Sequence, residues 1–403
     1  MPTDNMNKRI EDLLKMLEEV DNSNREMVKE VSKPMSKKEE TKKETKEDIV
    51  KVMSPSEIVK KLDETVIGQD NIKKTLAVTF FKYLTERLNE DKLKEKGEEL
   101  TKSNILLTGL SGNGKTYTVE QICKILDMDY IVVNCASLSA TGYKGGDIED
   151  ELKRLYDACD GDPDRIKKSV VILDEIDKLR ANNEGSGADV GGSGVVKNFL
   201  KMLEGTEISV GKTFYGGKQV LNTNDVMFIG CGTFMGGTDR DNIEDIVRRR
   251  MDKKGKKRAM GFFGENEYEE AITHDRNVIR RNITADDIIE YGFSPELLGR
   301  FSMVLNLEIL TLEDYVKIAK LKKNGFAEYA TLFELYGKKL KVNEEVYEIL
   351  AEHMAKTETG SRSLKGMVDK ICTPLVYDMV DNNRRKNYSI DRAYMESVLE
   401  KAE

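Results

Sequence analysis

The sequence predicts an α/β fold, a parallel sheet between helices, with a small mainly helical C-terminal part. Three observations predict it. Between residues 104 and 307, apolar runs of strand length alternate with helical stretches, the pattern of parallel strands joined by covering helices. The first run leads into a glycine-rich turn and then a helix, the context of a phosphate-binding loop. Beyond about residue 310 the strand signal largely fades and helical periodicity takes over.

The elements follow in chain order. Residues 1–67 contain no glycine. Met6, Ile10, Leu13, Leu14, Leu17 and Val20 fall at helical spacing and form one apolar stripe. This reads either as a short amphipathic helix packing somewhere or as a self-association or adaptor-docking helix. Residues 23–50 are dominated by Lys, Glu, Ser and Thr without aromatics. Such a composition buries too little to offset chain entropy and predicts a flexible linker. Residues 56–90 read as helices with Ile67-Gly68-Gln69 as a turn between them. Strands are expected at Asn104–Thr108, Tyr130–Asn134, Val170–Leu173, Val226–Gly230 and Met303–Leu307, with helical patterns between them. Residues 312–335, 343–356 and 361–382 carry helical periodicity.

Composition narrows the function classes. The chain has 403 residues and a formal charge of −8, with 39% hydrophobic and 34% charged residues. That length suits two or three domains. The acidic balance argues against a protein whose whole surface grips nucleic acid. The cysteines are Cys123, Cys135, Cys159, Cys231 and Cys372, an odd number without a C-x-x-C pair. This disfavours a disulfide framework or a Cys-rich zinc site and suits a reducing cytosol. Only His274 and His353 are present, which nearly excludes a multi-His metal centre. No apolar run approaches 18 residues and no signal-peptide pattern opens the chain. The expectation is a soluble, cytoplasmic, multidomain protein with no membrane partner.

Gly109-Leu110-Ser111-Gly112-Asn113-Gly114-Lys115-Thr116 fits G-x-x-x-x-G-K-[ST]. Inward-pointing amides of such a loop cradle phosphates, and the following helix N-terminus adds a favourable dipole. Ser111, Gly112, Asn113, Gly114, Lys115, Thr116 and Tyr117 are the expected nucleotide contacts. Lys115 would touch the β- and γ-phosphates, and the Thr116 hydroxyl would ligate Mg²⁺. Fifty-eight residues on, the apolar run Val170–Leu173 ends in Asp174-Glu175. Asp174 would hold the metal through water, and Glu175 would orient and deprotonate the attacking water. Solvated strand ends are often acidic, so the pair gains its meaning from the loop beside it. The expected chemistry is ATP hydrolysis with Mg²⁺.

Residues 56–400 resemble the ClpX family, hexameric unfoldases of the AAA+ superfamily. The likeness runs through Val66-Ile67-Gly68-Gln69, the phosphate loop, Gly142-Tyr143-Lys144-Gly145 and Ile172–Leu179. It continues through Leu203-Glu204-Gly205-Thr206, Gly292–Arg300 and Thr359-Gly360-Ser361-Arg362. It implies a P-loop NTPase fold of the AAA+ type: a large α/β domain at 51–310, a small helical domain at 311–403, and a charged extension at 1–50. By resemblance Ile67 lies against adenine. Arg300 corresponds to the arginine finger that reaches the neighbouring subunit's site, and Arg362 to the sensor-2 arginine. Thr233 is the best polar candidate for sensor 1. Without that context each arginine would read as a surface ion pair.

The same resemblance assigns the substrate path. Gly142-Tyr143-Lys144-Gly145 corresponds to a loop projecting into the ring's channel, where Tyr143 would grip an extended polypeptide. Lys144 stands where the family usually has an aliphatic residue. Residues 185–194 hold five glycines and correspond to a second, mobile channel loop, with Asp189 and Val190 nearest its tip. Residues 248–258 carry eight Lys and Arg and are followed by Met260-Gly261-Phe262-Phe263-Gly264. Alone, the basic run could be a nucleic-acid arm. In the family, this region docks onto the ClpP peptidase through an Ile-Gly-Phe tip, and Met260, Gly261 and Phe262 occupy that place. Two departures matter. No cysteine precedes Cys123, so the family's zinc-binding N-terminal domain, and zinc itself, are not expected. The Arg-Lys-His loop at the channel entrance is reduced to Lys218 in Gly216-Gly217-Lys218-Gln219. The implied protein is a homo-hexameric, ATP-driven unfoldase serving a ClpP-type peptidase, with protein substrates and possible adaptors. The alternatives are a stand-alone remodelling chaperone and a nucleic-acid motor.

Overall fold

A computed structural model describes residues 50–98, 103–138, 148–179, 190–212, 218–236, 242–259, 276–321, 325–357, 359–381 and 384–399. The chain divides into two units, Met1–Ile49 and Val50–Glu403, and all described residues belong to the second. The N-terminal apolar stripe and its linker, Tyr143, Lys144, Asp189, Met260, Gly261 and Phe262 lie outside the described residues.

The chain enters through helix α1 (Pro55–Leu62). Ser54 caps it, accepting from the Glu57 amide while Glu57 returns a bond to the Ser54 amide, a reciprocal capping box. Helices α2 (Asp70–Leu88) and α3 (Glu90–Glu95) follow. The turn before α2 places Gly68 and Gln69 at φ +68° and +59°. Strand β1 (Ile105–Thr108) leads into helix α4 (Lys115–Ile125). Then come β2 (Tyr130–Asn134), α5 (Ile148–Ala158), α6 (Pro163–Ile166), β3 (Val170–Asp174) and α7 (Val190–Glu204). A two-stranded antiparallel hairpin, β4 (Glu207–Lys212) and β5 (Lys218–Asn222), precedes β6 (Met227–Gly232). Helices α8 (Ile243–Ala259), α9 (Arg276–Arg281), α10 (Ala285–Glu290) and α11 (Pro295–Leu298) lead to β7 (Met303–Asn306).

The five-stranded sheet has the order β2-β3-β6-β1-β7, and every pairing is parallel. Strand side chains alternate between two cores, as the pleat requires. Val171, Leu173, Leu106 and Phe228 face one core. Val170, Ile172, Ile105, Leu107, Met227 and Ile229 face the other. The five strands stand where the apolar runs predicted, within a residue or two.

A third core is formed by the C-terminal part. It is built from α12 (Leu312–Lys320), α13 (Phe326–Leu335), α14 (Glu344–Lys356), α15 (Ser363–Asp381) and α16 (Arg392–Leu399). It also contains a parallel strand pair, β8 (Lys339–Val342) and β9 (Asn387–Ile390). Both strands are four residues long, and only one face of each turns inward. Such short alternation is hard to separate from helix or loop in sequence.

Two expectations about loops change. Gly191, Gly192 and Gly194 were expected in a mobile channel loop, yet they lie inside α7, and Val190 is its first residue. Phe199, Met202 and Leu203 are buried further along the same helix, so tertiary packing at the C-terminal end offsets the glycines' helix penalty. Lys218 and Gln219 belong to β5, not to a loop. No described helix is long and apolar enough to cross a membrane.

Candidate nucleotide site

The parallel register decides where chemistry can occur. Thr108 at the end of β1 pairs with Gly232 of β6, and Cys231 pairs with Asp174 at the end of β3. The three strand ends are therefore level. Two strand spacings separate the phosphate loop from Asp174, roughly 10 Å. Ligands of parallel α/β sheets sit in the crevice beyond these carboxyl ends.

A cleft of about 550 Å³ opens there, a volume suited to a nucleotide-sized ligand. Gly112, Asn113, Gly114, Lys115, Thr116 and Tyr117 form one wall, and Thr65, Val66 and Ile67 a second. The C-terminal part supplies Ile318, Leu321, Ser361, Arg362 and Leu364. Gly112 and Gly114 take φ +74° and +86°, a region that residues with a Cβ rarely adopt. Ser111 precedes them in the loop, and its carbonyl lies close to Gly360.

Lys115 is buried, and its ammonium donates to the carbonyls of Gly109 (2.7 Å) and Leu110 (3.0 Å). Burial pulls its pKa down, while Cys231 and Asp174 act in the opposite sense. The Thr116 hydroxyl oxygen is buried without a partner in hydrogen-bond geometry. A buried hydroxyl oxygen with only the Cys231 thiol against it, near the carboxylate end of β3, fits a hard divalent cation. Burial raises the neighbouring Cys231 thiol to about 12, so it stays neutral and adds no charge.

Asp174 accepts from the Glu175 amide at 3.1 Å. Glu175 is exposed and sits at φ +56°. A left-handed non-glycine residue costs roughly 1–2 kcal/mol, and such strain clusters at functional sites. The surroundings hold it there. Two residues on, Asp177 is buried and accepts from the Thr233 amide (3.2 Å), the Thr233 hydroxyl (3.2 Å) and the Phe234 amide (3.3 Å). Asp177 thus ties the acidic end of β3 to the residues just beyond β6.

The structure brings Arg362 of the C-terminal part into this site, with its Nη2 4.0 Å from Asp174 Oδ2. Arg300 is not brought there. It is half-exposed, pairs with Glu204 at the end of α7, and is absent from the cleft wall. Sequence reasoning assigned no role to Ser361 or Gln69. Ser361 donates to the Gly112 carbonyl, and Gln69 holds Glu308 by both its amide and its carbonyl. Both stand in motifs that the sequence marks, but their partners are 249 and 239 residues away.

The phosphate loop over a level set of parallel strand ends, with an acidic pair beside it, defines a nucleotide-hydrolysing AAA+ ATPase. Residues 105–258 match the family model of AAA, the ATPase family associated with various cellular activities. The chain belongs to the ClpX family. It is 30% identical over 352 residues to the ATP-dependent Clp protease ATP-binding subunit ClpX of Azotobacter vinelandii, covering 85% of this chain and 78% of that one. It is 32% identical over 351 residues to ClpX 2 of Wolinella succinogenes, covering 85% and 81%. The ClpX of Bacteroides fragilis is 31% identical over 363 residues, covering 88% and 84%.

Proposed function

We propose that this ATPase unfolds proteins by threading them through a ring of six copies and hands them to a ClpP-type peptidase. The observation that carries the reading is the meeting of Lys115, Thr116 and Arg362 in one cleft, with Arg362 reaching within 4.0 Å of Asp174 at the acidic end of β3, in a chain of ClpX descent. In this reading Ile67 lies against adenine, with Tyr117 at the rim. The amides of Ser111, Gly112, Asn113 and Gly114 cradle the phosphates. Thr116 and Asp174 would hold Mg²⁺, whose charge would stabilise the phosphoryl oxygens. Glu175 takes the proton of the attacking water. Lys115 leaves the loop carbonyls for the β- and γ-phosphates, and Arg362 senses the nucleotide. Arg300 completes the neighbouring copy's site. The large and small domains, 51–310 and 311–403, rotate about their junction. Tyr143 and Lys144 with Asp189 and Val190 contact the polypeptide, and Met260, Gly261 and Phe262 dock on the peptidase. The five buried free cysteines suit a cytoplasmic location.

Two experiments test this. Glu175→Gln is expected to bind ATP with near wild-type affinity and to hydrolyse it about 10²–10⁴-fold more slowly. Near-normal turnover would remove Glu175 from the role of base. In the second, the chain is mixed with a ClpP-type peptidase, ATP and a labelled unfolded protein. Degradation should depend on ATP and fall sharply in Phe262→Ala. Degradation indifferent to Phe262→Ala argues against docking through that tip. Remodelling without any peptidase affinity selects the stand-alone chaperone.

A further inference from the structure

The phosphate loop is fastened at two consecutive residues to parts of the chain that lie far away in sequence. The Ser361 hydroxyl of the C-terminal part donates to the Gly112 carbonyl at 2.6 Å. The Asn113 side-chain amide donates to the Glu308 carbonyl at 2.7 Å. Glu308 lies in the segment joining β7 to α12, between the sheet and the C-terminal core. The same carbonyl accepts from Gln69 at 2.7 Å, and Gln69 accepts the Glu308 amide at 2.9 Å. Asn113 is buried, so its bond is shielded from competing water.

The fit around the Ser361 bond is tight. A Cβ on Gly112 would come within 2.2 Å of the Thr359 carbonyl and 3.0 Å of the Ser361 amide. Gly360 faces the loop from the other side with φ +53°, and its Cβ would meet the Ser111 carbonyl at 3.4 Å. Two left-handed glycines let two backbones touch here. The contact therefore exists in one arrangement of the two parts and is lost when they separate.

We propose that Ser361 is a positioning residue that latches the C-terminal part onto the phosphate loop, with Asn113 fixing the loop to the joining segment. The cleft has walls from both parts, so it opens when they move apart. Breaking the latch raises the open fraction, and the nucleotide leaves faster. Ser361 touches the loop backbone and acts on the nucleotide through it. Its hydroxyl would govern residence time and apparent affinity more than the hydrolytic step.

The test uses the full-length chain. Dissociation of a fluorescent ADP analogue (mant-ADP) is timed by stopped flow, and the KM and kcat for ATP are measured beside it. Loss of one neutral hydrogen bond predicts dissociation faster by about fivefold in Ser361→Ala. KM should rise by a similar factor while kcat changes by less than about twofold. Ser361→Thr keeps the hydroxyl and should stay near the wild-type rate. A Ser361→Ala rate within about twofold of wild type overturns the latch. So does equal acceleration in Ser361→Thr, which would assign the effect to packing. The proposal rests on the nucleotide reading of the cleft. Failure of the wild-type chain to bind mant-ADP would sink that reading, whereas wild-type binding with an unchanged Ser361→Ala rate sinks the latch alone.

Discussion

Asp177 shows how a single carboxylate can hold a catalytic corner. Its two oxygens face at least three donors, the Thr233 and Phe234 amides and the Thr233 hydroxyl, in a buried setting. Asp177→Asn replaces one oxygen with an NH₂ group aimed at donors. That mismatch costs about 1–3 kcal/mol, and a lower denaturant midpoint with an unchanged slope would register it. An unchanged midpoint would show that the contacts do not hold the corner. Lys115, Thr116, Asp174 and Glu175 stand out in the sequence because their spacing encodes local geometry. Asp177 stands in the same run, yet its role is not legible. Its partner Thr233 is 56 residues away, and only the sheet order makes them neighbours.

Elements were readable where burial is continuous or periodicity is long. The strands of the five-stranded sheet are apolar on both faces because two cores press on them. Ile172, central and wholly buried, is expected to cost about 2–5 kcal/mol when changed to Ala, as read by chemical denaturation. The short strands β8 and β9 and the glycines of α7 resisted prediction for a shared reason. Each depends on packing against distant residues more than on its own propensity. The link between α3 and α6 makes a pH prediction. Lys167, then Lys94, hydrogen-bond Glu90 and hold its carboxyl at about 2, below the usual 4.5. A depressed carboxylate contributes stability above its unfolded value that is lost as pH falls toward the folded one. The stability gap between wild type and Glu90→Gln should be full at pH 6 and shrink between about 4.5 and 2. Thermal melts across that range check it, and a gap that does not change with pH would contradict it.

At the scale of the whole molecule, one copy holds most of a hydrolytic site but leaves Arg300 outside it, paired with Glu204. In the proposed ring Arg300 would complete the neighbouring copy's site. Arg300→Ala should bind ATP and lose most of its turnover, since a guanidinium at this step can be worth about 10³–10⁵ in rate. Mixing it with Glu175→Gln copies should restore activity, because each variant supplies what the other lacks. No recovery on mixing would argue against Arg300 acting in trans, and unchanged turnover in Arg300→Ala alone would place it outside the reaction. The account's central claim is that turnover in this cleft is coupled to polypeptide. The most direct measurement is steady-state ATP hydrolysis with either a permanently unfolded protein or single-stranded DNA added. The account predicts a severalfold rise with the polypeptide and none with the DNA. Turnover indifferent to polypeptide, or raised by DNA instead, would contradict it.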